Sequence, residues 1–229
     1  MGQSGVRNSV ASVYKLAFWA AVATLVIIPM QIAVFAAFPI PTTVEAWFAQ
    51  FAANPLVGLF HADFFIMVDN VLIAVIYLAF YHSLKETDKG LLQVAVVLGL
   101  VGIAAYISSN RTFELLALSR KYGAAATEGE RLVLLGAGQA MLAGWQGTAF
   151  DAYYVLNGVC LLVVAFLMRR GGPYGKTTAA FGLAAGVLMT IPSTAGTLGL
   201  VFSLLSLIPW YVFTIRFALV FKRLAKEAA

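Results

Sequence analysis

Six runs of nearly unbroken apolar residues divide the chain, at about 16–38, 56–81, 91–109, 146–168, 178–194 and 198–221. Charge-free stretches extend from Leu16 to Val44, from Gly90 to Asn110 and from Thr177 to Ile215. A helix of roughly 20 residues crosses a hydrocarbon layer of about 30 Å, so the last of these stretches holds two crossings. The pattern predicts an all-α, polytopic integral membrane protein with six transmembrane helices in a single domain, 1–229. Polar punctuation agrees with it. "FPIPTT" stops the first run, because its prolines remove donors and restrict the residues before them. "HSLKETDKG", "RRGGPYGK" and "PSTAG" turn the chain after the second, fourth and fifth runs.

Between the third and fourth runs the pattern changes. "FELLALSRKYG" reads as an extension of the third helix that stops at Gly123. Thr127 with Glu130 fits a capping box, in which hydroxyl and carboxylate satisfy free N–H groups at a helix start. "RLVLLGAGQAMLAG" then predicts a further helix, giving an outer helical cap between transmembrane helices 3 and 4. Lys and Arg placement favours this over a seventh crossing. With the N-terminus inside, eleven basic residues fall on inner segments (Arg7, Lys15, Lys85, Lys89, Arg169, Arg170, Lys176, Arg216, Lys222, Arg223, Lys226) and four on outer ones (Arg111, Arg120, Lys121, Arg131). Both termini are therefore expected in the cytoplasm. A seventh crossing would reverse the bias.

Composition confirms the class: 62% of residues are hydrophobic and 11% charged, against about 25% charged in soluble domains. The net charge of +5 arises at span ends rather than in one patch, which argues for orientation and against nucleic acid binding. Cys160 is the single cysteine, so neither a disulfide framework nor a thiolate metal site is available. "MGQSGV" departs from a myristoylation signal at Val6, and the first apolar run is too long for a cleaved signal peptide. Gly182 with Gly186, and Gly136, Ala140 and Gly144, form small-residue stripes; packing within one bundle explains them, homodimerisation less directly.

Chemistry must come from the few polar groups inside the spans. On the second run, Asp63 and Asn70 lie seven residues apart and would share one face of a continuous helix, with Asp69 about 120° away. Asp151 and the deeper Asn157 occupy the fourth run. Arg111 ends the third and is the natural cation for Asp63 or Asp151. Buried ionisable groups in membranes usually face a bundle interior or a watery cavity. Asp63, Asp69, Asn70, Arg111, Asp151 and Asn157 therefore form either a polar lock between helices or an outward-facing ligand pocket. His61 and His82 stand near opposite ends of one run, so a shared metal or haem is not expected. His61 is a weak metal candidate at best, in no recognised ligand spacing. The sequence has no G-x-S-x-G elbow and no phosphate-binding loop, and it names no cofactor. Pro209 should bend the last helix, and Arg216 should reach toward lipid headgroups.

The acidic second run introduced by "NPL", the segment "SSNRTFELLALSRKYGAAATEGERLVLLGAGQAML", the following "GTAF" and the basic loop before a Gly-rich fifth run resemble the bacterial membrane proteins of domain-of-unknown-function family forty-three eighty-six. That resemblance implies a six-span bacterial inner-membrane protein. It brings no activity or catalytic residue, and it gives no support to histidine-rich membrane hydrolases of the ceramidase type. The leading expectation is non-enzymatic binding or transport of a small or lipid-like molecule. An accessory subunit of a larger membrane complex and a metal-assisted hydrolase are the alternatives. Membrane lipids are the expected partners, with a homodimer or larger complex as further options.

Overall fold

The structure is a computed structural model that describes the backbone of residues 3–228 and side chains from Ser9. It is all-helical, with no strand among the described residues. The helices are α1 (Gln3–Ala37), α2 (Val44–Ala53), α3 (Pro55–His61), α4 (Phe64–Leu84), α5 (Lys89–Ser109), α6 (Thr112–Ala124), α7 (Glu128–Trp145), α8 (Thr148–Arg170), α9 (Lys176–Met189) and α10 (Gly196–Glu227).

Six of them form a closed ring. α1 packs on α4, α4 on α5, α5 on α8, α8 on α9, α9 on α10, and α10 returns to α1. Five segments are long and apolar enough to cross a membrane: Ser9–Ala37, Phe64–Leu84, Lys89–Ala124, Glu128–Arg170 and Gly196–Glu227. The third contains α5 and α6, the fourth α7 and α8. The expected sixth crossing falls short. α9 ends at Met189 rather than 194, because the chain turns at Thr190, whose hydroxyl donates to the Val187 carbonyl at 2.7 Å. At 1.5 Å per residue its 14 residues span about 21 Å, less than a hydrocarbon core of about 30 Å.

The other four helices gather at one end of the ring, where α1 and α5 finish and α4 and α8 begin. α2 packs on α3, α6 and α7, and α6 packs on α7. Ser119 on α6 donates to the Phe48 carbonyl at 2.8 Å, and Trp47 meets Trp145 edge-on at 5.6 Å. Gly138 lets α7 close on Val44 and Phe48. The apolar runs did not reveal α2, which lies in the segment between the first two of them. Its start is local: Thr43 caps it by accepting from the Ala46 N–H at 3.2 Å. The Asn54–Pro55 pair opens α3 in the same way, with Asn54 Oδ1 accepting from Val57 N at 3.2 Å and Pro55 at the first position.

Two helices expected to be continuous are broken. The second run divides at Ala62–Asp63, where Asp63 adopts φ 59 and ψ 26. Aspartate tolerates this left-handed region better than most residues. The carbonyls released by the break find donors from elsewhere: Gln31 reaches Phe60 O at 2.6 Å, while Asn110 Nδ2 and Thr112 Oγ1 reach Ala62 O at 2.9 and 2.6 Å. The third helix breaks at Asn110, whose backbone is extended (ψ 134) and whose side chain accepts from Thr112 N at 3.0 Å. α6 is thus a separate helix rather than an extension of α5, and it ends one residue beyond Gly123.

The Thr127–Glu130 capping box is present. Glu130 N donates to Thr127 Oγ1 at 3.2 Å, and Glu130 Oε2 accepts from the N–H groups of Ala126 and Thr127. Thr127→Ala should cost about 1 kcal/mol, seen as faster amide exchange in the first turn of α7 and unchanged exchange in α8.

The opposite end of the ring is solid. Phe80, Phe213, Phe217 and Phe221 are fully buried, with Phe80 5.0 Å from Phe217 and 5.4 Å from Phe221. Arg170 reaches Asp88 at 4.0 Å, and Arg223 donates to Pro173 O at 3.0 Å. Arg216 is exposed and donates to Thr178 near the start of α9 at 3.0 Å. Gly182 and Gly186 turn toward Ala165 and Leu162 of α8, so their stripe serves packing inside the chain. Gly136 has open space beside it and Gly144 is exposed.

Candidate functional site

Above the phenylalanine plug the ring encloses a cavity of about 370 Å³. Its walls come from α1 (Ile28, Gln31, Ile32, Phe35), α4 (Ile66, Asp69, Ile73, Tyr77), α5 (Tyr106), α8 (Phe150, Tyr153, Tyr154, Asn157, Leu161), Met189 of α9 and the first half of α10 through Trp210. A second cavity of about 690 Å³ lies between this one and the α2–α7 cluster, lined by Trp47, His61, Gln139, Trp145 and Gln146 among others. The two share Phe35, Ile40, Asp63, Phe150, Ser193 and Leu200, so Asp63 stands at the neck between them.

The break between α3 and α4 puts Asp63 there. Because Asp63 precedes α4 instead of lying on it, the shared face expected for Asp63 and Asn70 does not exist. Gln31 on α1 donates to Asp63 Oδ1 at 3.1 Å with the same amide that holds Phe60 O. The Tyr106 hydroxyl lies beside Asp63 without closing a hydrogen bond to it. Asp69 sits one to two turns deeper on α4, 3% exposed. Thr24 lies next to it, yet neither Asp69 Oδ1 nor Thr24 Oγ1 completes a hydrogen bond. At the floor, Asn157 accepts from the Tyr77 hydroxyl at 2.5 Å and donates to Tyr153 O at 3.1 Å. Gly102 of α5 leaves room for that amide, since a Cβ there would strike Asn157 and Leu156.

Three of the sequence-predicted residues, Asp63, Asp69 and Asn157, therefore meet at one cavity. Asn70 is fully buried next to it and spends its amide on its own helix, donating to Ile66 O at 2.9 Å. Arg111 and Asp151 lie apart. Arg111 is 3.8 Å from Glu114, one turn along α6, and is not paired with Asp63 or Asp151. Asp151 accepts from Thr194 and ties α8 to the α9–α10 turn. His61 lies against Phe35 and Trp47, with ring centroids at 5.7 and 6.2 Å. No group of three His, Cys, Asp or Glu side chains converges among the described residues.

Sequence reading missed Gln31, Tyr77, Tyr106 and Ser203, which are ordinary span residues until the ring brings them together. A common signal links them to the site. Buried polar atoms are nearly always hydrogen-bonded, yet eleven buried side-chain atoms among the described residues have no partner. Seven of the eleven belong to residues lining the two cavities: Gln31 Oε1, both His61 nitrogens, Asp69 Oδ1, Tyr106 Oη, Trp145 Nε1 and Ser203 Oγ. The polar capacity of the bundle is concentrated on these two spaces.

The walls are otherwise apolar, and several lining residues also face outward: Ile32 is 44% exposed, Leu200 53% and Leu204 55%. They belong to the last turns of α1 and the first turns of α10. Lower down these helices touch, with Tyr14 stacked near Phe221 at 6.1 Å and Lys222 over the Phe18 ring at 5.6 Å. The cavity thus reaches the bundle surface along the upper α1–α10 seam. Comparisons with protein-family models, curated proteins and solved structures give no match, so the likeness to family forty-three eighty-six rests on the quoted segments alone.

Proposed function

We propose that the chain is a six-span membrane protein that binds, and in binding presents or moves, a small lipid-like molecule in the cavity of its helical ring. The observation that carries this reading is the cavity's two-sided character. Apolar side chains line most of it, while unpartnered polar atoms are gathered at its neck and on Asp69. Ligand sites have this composition, apolar walls with a few placed polar groups. The apolar, outward-facing seam between α1 and α10 suits entry from a bilayer. The phenylalanine plug closes the far side, which favours a binding pocket over a continuous pore.

In this reading the basic end faces the cytoplasm, as the distribution of Lys and Arg supports. The α2–α7 cluster forms the outer cap, and α9 crosses as a sixth, short span with local adjustment of the bilayer, whose cost is a fraction of a kcal/mol per Å. A bacterial inner membrane is the location implied by the family likeness.

The test is mass spectrometry of the intact protein released from its native membrane, comparing wild type with Ser203→Trp. Ser203 lines the cavity from α10, and an indole at this position occupies it. Wild type should retain one equivalent of an amphiphile that Ser203→Trp lacks. Identical retention by both proteins would count against the cavity as the binding site.

A further inference from the structure

The charge of the cavity narrows the ligand, on the basis that this cavity is the binding site. Among the described residues, Asp63 and Asp69 are its only charged lining residues, and no Lys or Arg lines either cavity. The ion pairs found among the described residues involve neither carboxylate. Asp69 is the more telling of the two, being 3% exposed with an oxygen that no donor satisfies. A buried carboxylate without a cation or a full set of donors is costly. Aromatic rings surround the same space, with Tyr106 and Tyr153 4.7 Å apart and Trp210 opposite. Rings of this kind attract a cation over their faces.

We infer that the ligand is a cationic amphiphile. Its ammonium group is held between Asp63 and Asp69 within the ring of tyrosines, and its apolar body runs along Ile73, Leu204 and Leu207 toward the α1–α10 seam. An anionic headgroup would find no cation among the described lining residues, only the same two acidic side chains. A neutral headgroup would satisfy donors and acceptors but leave the charge at Asp69 unanswered.

The experiment titrates decylammonium, decanol and decanoate into the full chain in phosphatidylcholine nanodiscs by calorimetry, with Ser203→Trp nanodiscs as the subtraction for partitioning. Wild type should bind decylammonium at least tenfold more tightly than decanol and should not bind decanoate. Asp69→Asn, and separately Asp63→Asn, should lower decylammonium affinity toward that of decanol and leave decanol unchanged. Equal affinity for decylammonium and decanol, or tighter binding of decanoate, overturns the cationic class while leaving the pocket in place. No difference between wild type and Ser203→Trp for any of the three overturns the pocket as well.

Discussion

Gly102→Leu is expected to be the most damaging single change above the phenylalanine plug. α5 and α8 approach closely there, and a Cβ at position 102 would meet Leu156 Cβ at 3.1 Å as well as the Asn157 amide. Helices in lipid gain little from hydrophobicity and associate through close backbone approach and packing. A leucine at this position forces the pair apart. Overpacking alone costs about 1–3 kcal/mol. Displacing Asn157 also breaks its bond with Tyr77, a contact between two buried groups, and each orphaned partner adds about 1–3 kcal/mol. The sum is several kcal/mol, readable as a large fall in unfolding temperature in bicelles together with lost ligand retention. Gly123→Leu, where the glycine has open space around it, should leave both unchanged apart from a small helix-propensity gain. A wild-type transition in Gly102→Leu would mean that α5 and α8 do not meet at this position.

Gln31→Leu should have the second largest effect, through a different mechanism. One amide from α1 holds both the Phe60 carbonyl at 2.6 Å and the Asp63 carboxylate at 3.1 Å. These are the groups that the break between α3 and α4 leaves exposed to desolvation. Replacing the amide by an apolar side chain of similar length keeps the packing and removes both bonds. The Phe60 carbonyl keeps the Asp63 N–H at 3.1 Å, so the loss is one bond to a carboxylate, about 1.5–3 kcal/mol, and one further carbonyl bond, about 0.5–1.5 kcal/mol, or about 2–4 kcal/mol together. Faster proteolysis near Ala62–Asp63 should accompany it. The exposed Gln93, replaced in the same way, should change stability by no more than about 0.5 kcal/mol. If the two variants behave alike, Gln31 does not clamp the break.

These two residues show what a linear reading can and cannot reach. The apolar runs located the long helices because span length and charge exclusion are written residue by residue. The Thr127–Glu130 cap was equally local, since its partners stand three positions apart. Asp69 and Asn157 stood out because a carboxylate or an amide in an apolar run demands an explanation. The break at Asp63 was not visible, since its left-handed backbone is supported by Gln31, Asn110 and Thr112, which lie far along the chain. For the same reason Arg111 was assigned to distant acids on charge alone, when Glu114 stands one helical turn away. α9 was read as longer than it is because the charge-free stretch continues past the turn that ends it. Tyr77, Tyr106 and Ser203 carried no signal in sequence. Their importance comes only from closure of the ring.

The central claim is a ligand cavity that continues through the neck at Asp63 into the second cavity beside the α2–α7 cluster and is closed at the basic end. Thiol labelling in oriented membrane vesicles tests it most directly. In a Cys160→Ala background, single cysteines at Ile73 and Ser203, both lining the cavity, are compared with one at Val164, which is fully buried. A small cationic methanethiosulfonate reagent should modify the thiols at 73 and 203 from the cluster side only and leave the one at 164 untouched from either side. Modification of 73 and 203 from the basic side, or silence there equal to that at 164, would contradict the account.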